Sequence, residues 1–451
     1  MFDLREAAAA IGAGCPNGTA RVSRVSTDSR ALAAGDLFVA LRGEKFDGHG
    51  FVTQALEQGA VAAMVASDQA GRPEWAGKPL LVVDDTRLGL GALAAWWRTR
   101  LGLPLVGVTG SNGKTTVKEM VAVILREQAG QDGVLATHGN LNNDIGVPLT
   151  LLSLRPNHAY GVIEMGMNHP GEIAYLTALA KPDAAVVNNA QAAHLAGLGS
   201  VEAVARAKGE IFSGLGPEGV AAINLDDPFA QLWRELAASR KVIAFGLAPS
   251  ADVSADYKLG VLSSELNVKT PAGDFSVVLR VPGVHNVRNA LAATAAVLAL
   301  GVPPEVIGRG LSAFAGVKGR LQRKSGLHGA ELIDDTYNAN PGSVAAAIRV
   351  LAAMAGRKVL VLGDMGELGG NAAELHADIG QAAKEAGIDR LLALGEHSVH
   401  AARAFGTGGQ HFEYIEDLLA EAENELAPGV TVLVKGSRFM QMERVVKGLG
   451  V

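Results

Sequence analysis

The sequence predicts an α/β protein of three domains, and three observations carry that reading. At 451 residues the chain is long enough for about three cores of ordinary size. Its 48% hydrophobic content and 56 glycines suit many tight turns between strands and helices. Short apolar runs that read as buried strands alternate with stretches of helical periodicity along most of its length. The expected division is a small α/β N-terminal unit over residues 1–83, a central parallel-sheet unit over 84–316, and a C-terminal Rossmann-like unit over 317–451.

Composition removes several function classes. A net charge of −6 and the lack of a dense Lys/Arg block count against nucleic acid as a partner. A single cysteine, Cys15, rules out an internal disulfide and a Cys-based zinc site, and reads as a small residue near a turn at Pro16. The opening Met1 to Glu6 lacks the basic start and apolar core of a signal peptide. The Ala-rich run from Ala290 to Gly301 is too short to span a bilayer and reads as a buried helix. The expectation is a cytoplasmic monomer with no membrane insertion.

In the first unit, Leu4 to Ile11 reads as a short helix and Arg21 to Thr27 as a strand. Polar turn residues then alternate with apolar strands. Asp28-Ser29-Arg30 by itself reads as a solvated turn, although Ser29 and Arg30 could hold an anion, since guanidinium pairs bidentately with phosphate.

The central unit carries the most informative stretch, Val106 to Thr116. Pro104 to Val108 reads as a strand and Thr115 to Gln128 as a helix, with a loop Gly-x-x-Gly-Lys-Thr between them. Val108 stands where the longer form of this loop has its first glycine. Such a loop turns successive N–H groups toward phosphate oxygens at a helix N-terminus. Gly110 and Gly113 would relieve crowding, Lys114 would reach the β- and γ-phosphates, and the Thr115 hydroxyl would face Mg²⁺. It reads as a nucleotide-binding loop.

Further along lies a polar connection from Thr137 to Pro148, with Asn140, Asn142 and Asn143. A strand from Tyr160 to Met165 ends near Glu164, and a strand from Ala184 to Asn188 leads to a loop with His194. Ligands of open parallel sheets sit beyond the carboxyl ends of the strands. A lysine–threonine loop, a carboxylate and an imidazole at three such ends suit a metal–triphosphate site. On the helix from Val201, Lys208 sits among small apolar residues. Either it is partly buried, or it pairs with Glu202 or Glu210 on a solvated face. Gly214 to Gly219 has the letters of a dinucleotide fingerprint, but it precedes a strand (Val220 to Asn224) and is set aside. Residues 253–282 alternate like a hairpin insertion. Asn286, near the start of the Ala-rich helix, could read a base edge or cap the helix.

The third unit follows Lys318 to Leu321. Strands are expected at Glu331 to Asp335, Lys358 to Leu362, Arg390 to Leu394 and Val430 to Val434, with helices from Pro341, Asn371 and Phe439. Their ends carry Asp335 to Asn340, Gly363 to Glu367 and Lys435 to Arg438. That polar edge should face the nucleotide across a cleft.

Taken together, these residues resemble the Mur ligases, ATP-dependent amide-forming enzymes of peptidoglycan assembly. The resemblance runs through all three units. Thr109, Gly110, Ser111, Asn112, Gly113, Lys114, Thr115 and Thr116 are similar to the family's ATP loop. Asn140 to Asn143 with Gly146 and Pro148 are similar to its asparagine motif. Glu164, His194, Lys208, His285-Asn286 and Gly319-Arg320-Leu321 follow in family order. Asp335 to Ser343, Leu362 to Gly369 and Lys435 to Arg438 are most like the branch that adds D-alanyl-D-alanine. The Asp-Asn-Pro-Arg signature of the branch adding the third residue does not occur.

The resemblance implies an ADP-forming ligase that joins D-Ala-D-Ala to UDP-MurNAc-tripeptide through an acyl phosphate, using ATP and Mg²⁺. By the same resemblance Lys114, His194, Lys208 and Arg320 serve catalysis, while Thr115, Glu164, His194 and Lys208 serve metal, with Lys208 carbamylated by CO₂. Asn286, Arg320 and Asp335 would meet the nucleotide. Ser29, Arg30, Asp47 and His49, with Asn140, Asn142, Asn143, Tyr337, Asn338 and Asn340, would meet the other substrates. Other readings are a folate or polyglutamyl ligase, against which the uridine-type first unit counts, and a nucleotide-operated switch or motor ATPase. A switch generally works at a partner interface, whereas three units facing one cleft suit ligation of several substrates.

Overall fold

The computed structural model describes residues 1–15, 20–193 and 195–451, so the turn expected at Pro16 lies outside the described residues. The first unit is a four-stranded parallel sheet, Arg24–Ser26, Asp36–Val39, Ala62–Ala66 and Leu80–Val83, in chain order across the sheet. The expected strand over Arg21 to Thr27 is two pieces. Arg21–Val22 pairs antiparallel with Phe2–Asp3, and Arg24–Ser26 joins the parallel sheet. The helix Leu4–Ile11 begins at Asp3, whose carboxylate accepts from the N–H of Arg5, and ends at Gly12 in the left-handed conformation.

Thr86–Leu101 is a helix shared between units. Its Leu90, Leu93, Ala94 and Trp97 belong to one continuous core. That core takes in Leu37, Val39, Met64 and Leu81 of the first sheet, and Leu105, Ile163, Ala185 and Ile223 of the second. A Cβ on Gly89 would stand 3.0 Å from Val83, and one on Gly91 would collide with the Tyr175 hydroxyl, so both sheets close tightly on this helix.

The central sheet is six-stranded and parallel. From edge to edge its order is Lys241–Phe245, Val220–Asn224, Ala184–Val187, Leu105–Thr109, Tyr160–Glu164 and Val134–Ala136. Side chains alternate between faces: Leu105 and Ile163 enter the first core, while Val106, Val108 and Val162 enter a second under the helices Lys114–Ala129 and Val284–Leu298. Chain order reverses beside Leu105–Thr109, which is where a doubly wound sheet opens a crevice. The insertion after residue 253 is not a hairpin but a three-stranded antiparallel sheet, Ser254–Leu259, Ser264–Lys269 and Phe275–Leu279. Two polar turns divide the run, and Leu266, Val268, Val277 and Leu279 bury its inner face in the second core.

The third unit is another six-stranded sheet, with Val430–Lys435 inserted between Glu331–Asp335 and Arg357–Gly363. Two edge strands escaped the sequence reading: Gln322–Ser325, which runs antiparallel, and Gly409–Phe412. Neither has a sustained apolar pattern, because an edge strand has only one neighbour and less to bury. No helix among the described residues is long and apolar enough to cross a membrane.

Candidate active site

The phosphate loop is built by crowding as much as by hydrogen bonds. Gly113 has φ 78°, and a Cβ there would lie 2.4 Å from the Asn289 Oδ1 and 2.5 Å from the Asn188 Nδ2. A Cβ on Gly110 would lie 2.9 Å from that of Asn188. Only glycine fits either position. The helix begins at Lys114, and its first intrahelical bond runs from the N–H of Val117 to the carbonyl of Gly113, 2.8 Å. The N–H groups of Lys114, Thr115 and Thr116 precede that bond and point out of the helix start, where an anion is favoured. The N–H groups of Ser111 and Asn112 are already used, donating to the backbone carbonyl and side-chain oxygen of Asn189 at 2.9 and 2.8 Å. Thr109 is fully buried with its hydroxyl on the Met165 carbonyl, so it shapes the loop from behind rather than lining the cleft.

Lys114 folds over this loop, its ammonium donating to the Gly110 carbonyl at 2.7 Å. Burial lowers its pKa, and the Glu164 carboxylate offsets part of that. Glu164 closes the next strand and is buried. Its Oε1 accepts from Asn142 at 2.8 Å, while Oε2 has no hydrogen-bond partner among the described residues. Lys208 is also buried, and its Nζ has no hydrogen-bond partner among the described residues. The solvated alternative for this lysine fails. Glu202 pairs with Arg206, and Glu210 caps the helix Glu172–Ala180 by accepting from the N–H groups of Gly171 and Ala174. Burial, helped by the nearby Lys114 charge, pushes the Lys208 pKa well down, so the neutral amine is favoured.

These orphaned atoms are a test of fit for Mg²⁺. An unpaired carboxylate oxygen and the Thr115 hydroxyl are hard oxygen donors of the kind Mg²⁺ takes, and the residues present fit it. An ammonium at Lys208 does not; an anionic oxygen there would. His194 lies outside the described residues, and no cluster of three His, Cys, Asp or Glu side chains occurs among those described.

The third unit forms the opposite wall of a cleft of about 1480 Å³. Arg320 follows a tight turn in which Gly316 and Gly319 have φ 90° and 70°. Its guanidinium stacks over the Tyr337 ring, 4.4 Å from the centroid, and donates to the Thr115 hydroxyl at 2.9 Å. Its Nε is buried without a hydrogen-bond partner among the described residues. Asp335 is buried against Lys435 at 2.6 Å and accepts from the Leu321 N–H, holding the turn that carries Arg320. Burial pushes the Asp335 carboxyl up while the Lys435 ammonium pulls it down. Asn340 and Asn112 exchange amide hydrogen bonds, 3.1 and 2.8 Å, across the cleft floor. Tyr337 and Asn338 line the same wall.

Asn140, Asn142 and Asn143 line the cleft, and Asn143 also caps the helix Gly146–Leu151. Asn286 lines it too, its amide donating to the Pro282 carbonyl at 2.8 Å and its side-chain oxygen accepting from Asn289 at 3.0 Å. The neighbouring His285 is half-buried on the cleft wall. Burial, helped by the charges of Arg349, Lys435 and Arg288, pushes its pKa down to about 4.

The structure does not bring Ser29, Arg30, Asp47 and His49 into this cleft. Both stretches are used as turns. Asp28 accepts from the N–H of Arg30 and pairs with its guanidinium at 2.8 Å. Asp47 does the same for His49, whose ring is buried between the Asp47 carboxylate at 2.5 Å and the Ala66 N–H at 3.0 Å. Both imidazole nitrogens are thereby occupied.

Sequence reasoning missed the run Asn188 to Gln191. Asn188 joins Asn289 to the Asn112 carbonyl, Asn189 holds Asn112, and Gln191 holds Ser111. The available signal was an Asn-Asn-Ala-Gln run at the end of an apolar strand, too polar for a simple turn.

Comparison with known proteins agrees with this geometry. Residues 21–98 match the model of the Mur ligase family catalytic domain, 108–297 the Mur ligase middle domain, and 319–438 the Mur ligase glutamate ligase domain. The UDP-N-acetylmuramoyl-tripeptide--D-alanyl-D-alanine ligase of Escherichia coli is 47% identical over 94% of this chain and 93% of its own. That of Bacillus subtilis is 38% identical over 94% and 92%. A crystal structure of MurF from Acinetobacter baumannii superposes with a TM-score of 0.92 at 38% identity, covering 99% of this chain and 98% of that one. MurF from Thermotoga maritima in complex with ADP superposes at 0.83 with 28% identity, covering 95% and 97%.

Proposed function

This chain belongs to the Mur ligase family, and we propose from that premise that it joins D-alanyl-D-alanine to UDP-N-acetylmuramoyl-tripeptide. It is an ATP-dependent, ADP-forming amide ligase of cell-wall biogenesis. The observation that carries the reading is the meeting at Thr115. There an open helix N-terminus with its lysine is faced by Arg320 of another unit, so one triphosphate can be gripped from both walls.

The residues follow the chemistry. A carboxylate is unreactive toward an amine until its oxygen has attacked the γ-phosphate and formed an acyl phosphate. Lys114 and the N–H groups at Lys114 to Thr116 fix the phosphate chain for in-line attack. Arg320 faces the charge that develops on the transferred group. Bound Mg²⁺ adds further neutralisation, and Glu164 with Thr115 would hold it. The amine then attacks the acyl carbon and phosphate leaves. Asn188 to Gln191 keep the loop from relaxing during transfer.

Three finer readings belong to the same proposal. Lys208 is carbamylated by CO₂, which supplies the anionic oxygen its buried position calls for; an unpartnered amine favoured as neutral supports this. Ser29 and the exposed Arg30 meet the uridine nucleotide outside the cleft. The enzyme works as a cytoplasmic monomer on soluble precursors. Incubation with ATP, Mg²⁺, UDP-MurNAc-tripeptide and D-Ala-D-Ala tests the function. A product mass raised by the dipeptide less one water is the expected result, and an unchanged tripeptide overturns it.

A further inference from the structure

We propose that His376, which lies outside the cleft, is a positioning residue for phosphoryl transfer: its neutral ring is the acceptor that fixes the third unit's wall against the phosphate loop. The proposal rests on the ligase reading above and adds to it a group that touches no substrate.

The ring itself is fully specified. His376 belongs to the helix Ala372–Glu385 and is fully buried. Its Nδ1 lies 2.6 Å from the Ala372 carbonyl, which can only accept, so Nδ1 carries the proton. Its Nε2 accepts from the N–H of Met365 at 2.9 Å. A ring that donates from one nitrogen and accepts at the other is neutral. Burial lowers its pKa in the same sense, with His397 and His400 adding to that, against the Ala372 bond and Asp364. The Asp364 carboxylate stands 4.0 Å from Nε2, beyond hydrogen-bond reach, and is taken up by the N–H groups of His397 and Ser398 at 3.1 and 2.7 Å. Nor can the helix back away. A Cβ on Gly380, one turn further along, would lie 2.0 Å from the Ala401 carbonyl in the helix Ser398–Phe405.

What the ring holds leads to the reacting centre. Met365 follows the end of the strand Arg357–Gly363, where its N–H needs a partner outside the sheet. The next N–H, of Gly366, donates to the Ser437 hydroxyl at 2.8 Å, and that hydroxyl donates to the Ala339 carbonyl at 3.0 Å. The Ser437 N–H closes the junction on the Asp364 carbonyl at 2.9 Å. Ala339 directly precedes Asn340, whose amide exchanges hydrogen bonds with Asn112 of the phosphate loop. Gly366, Ser437 and Asn340 all line the cleft. A series of hydrogen bonds and adjacent residues thus runs from a ring in the third unit's core to the phosphate loop of the central one. Without the Nε2 acceptor the buried Met365 N–H is left unpaired, a cost the strand end relieves by shifting. That shift passes through Ser437 and Ala339 and takes Asn340 out of register with Asn112. The open N–H groups of Lys114 to Thr116 are not part of the series, so phosphate binding survives while the geometry for transfer does not.

Two amide substitutions divide the ring's bonds between them. In His376→Asn the side-chain amide reaches the Nδ1 position and keeps the donor to Ala372, but nothing accepts from Met365. In His376→Gln the side-chain oxygen reaches the Nε2 position and keeps that acceptor. Each variant retains one buried bond, so the two should melt at similar temperatures. For His376→Asn, kcat for ligation should fall about a hundredfold, the scale of a misplacement of about 1 Å, with KM for ATP near the parent's. His376→Gln should recover much of that loss. Ser437→Ala cuts the same series without touching the buried ring, so it tests the relay even where a buried variant fails to fold. It should show the same split of kcat from KM, and the double variant with His376→Asn should be no worse than the poorer single one. Equal activity in the Asn and Gln variants, a parental kcat in Ser437→Ala, or additive losses in the double variant would each overturn the proposal and leave the ligase reading standing. A parent protein that forms no pentapeptide would overturn the ligase reading instead, and this proposal with it.

Discussion

Lys208 shows how much depends on where a single side chain is placed. The same four-carbon amine is inert on a solvated helix face, but fully buried and unpaired it must be neutral or be converted. Lys208→Ala should lose most activity and regain part when a short carboxylic acid is supplied to fill the vacated oxygen positions. Retained activity in Lys208→Ala, or no response to the acid, would refute carbamylation. Lys114 makes the complementary case, since its charge is needed in the phosphoryl transfer rather than in the fold. Lys114→Ala should keep its circular dichroism spectrum while turnover falls below detection, because removing a charge from the transferring group withdraws stabilisation made only in the transition state. Near-normal turnover in the folded variant would refute the ATP-loop assignment.

Among the elements, helix starts do most of the positioning. Lys114–Ala129 presents its open N–H groups to phosphate, whereas Pro341–Ala352 is closed by a capping box between Asn340 and Ser343. Asn340 serves twice, as cap and as the partner of Asn112. The two tasks can be separated. Asn340→Ala should cost about 1 kcal/mol of stability through the lost cap and also lower activity. Asn340→Asp keeps an acceptor for the Ser343 N–H but cannot donate to the Asn112 side-chain oxygen. It should therefore melt near the parent and still be less active. An Asn340→Asp protein as active as the parent would show that the link to Asn112 carries nothing. The strands and helices of these elements were legible in the sequence because apolar alternation is local. Nothing local separates a polar turn from a cleft residue: Asp47 to His49 has the letters of a ligand site, yet both ring nitrogens of His49 are consumed within the first unit.

At the scale of the molecule, the third unit meets the phosphate loop through Arg320 and Asn340, with Leu262 and Leu321 packed against its core. The first two units share a continuous apolar core instead. A largely polar contact on a glycine-containing turn is the kind that opens and closes, while a shared core is not. X-ray scattering should therefore show a smaller radius of gyration when a non-hydrolysable ATP analogue, Mg²⁺ and UDP-MurNAc-tripeptide are added together. Identical profiles with and without these ligands would count against closure.

The sequence by itself determined the α/β class, the phosphate loop, and the strand ends that carry Glu164, Asp335 and Lys435. Each of these is written in a short window, as a period of apolar residues or a loop whose glycines and lysine are a few positions apart. Tertiary structure alone decided that Lys208 has no partner among the described residues, that Asn188 to Gln191 brace the phosphate loop, and that Arg320 lies on Thr115 across 205 positions of chain. Those facts depend on which groups burial brings together and which it leaves unpaired. Such pairing follows from the packing of whole sheets against one another, and no local stretch of residues encodes it.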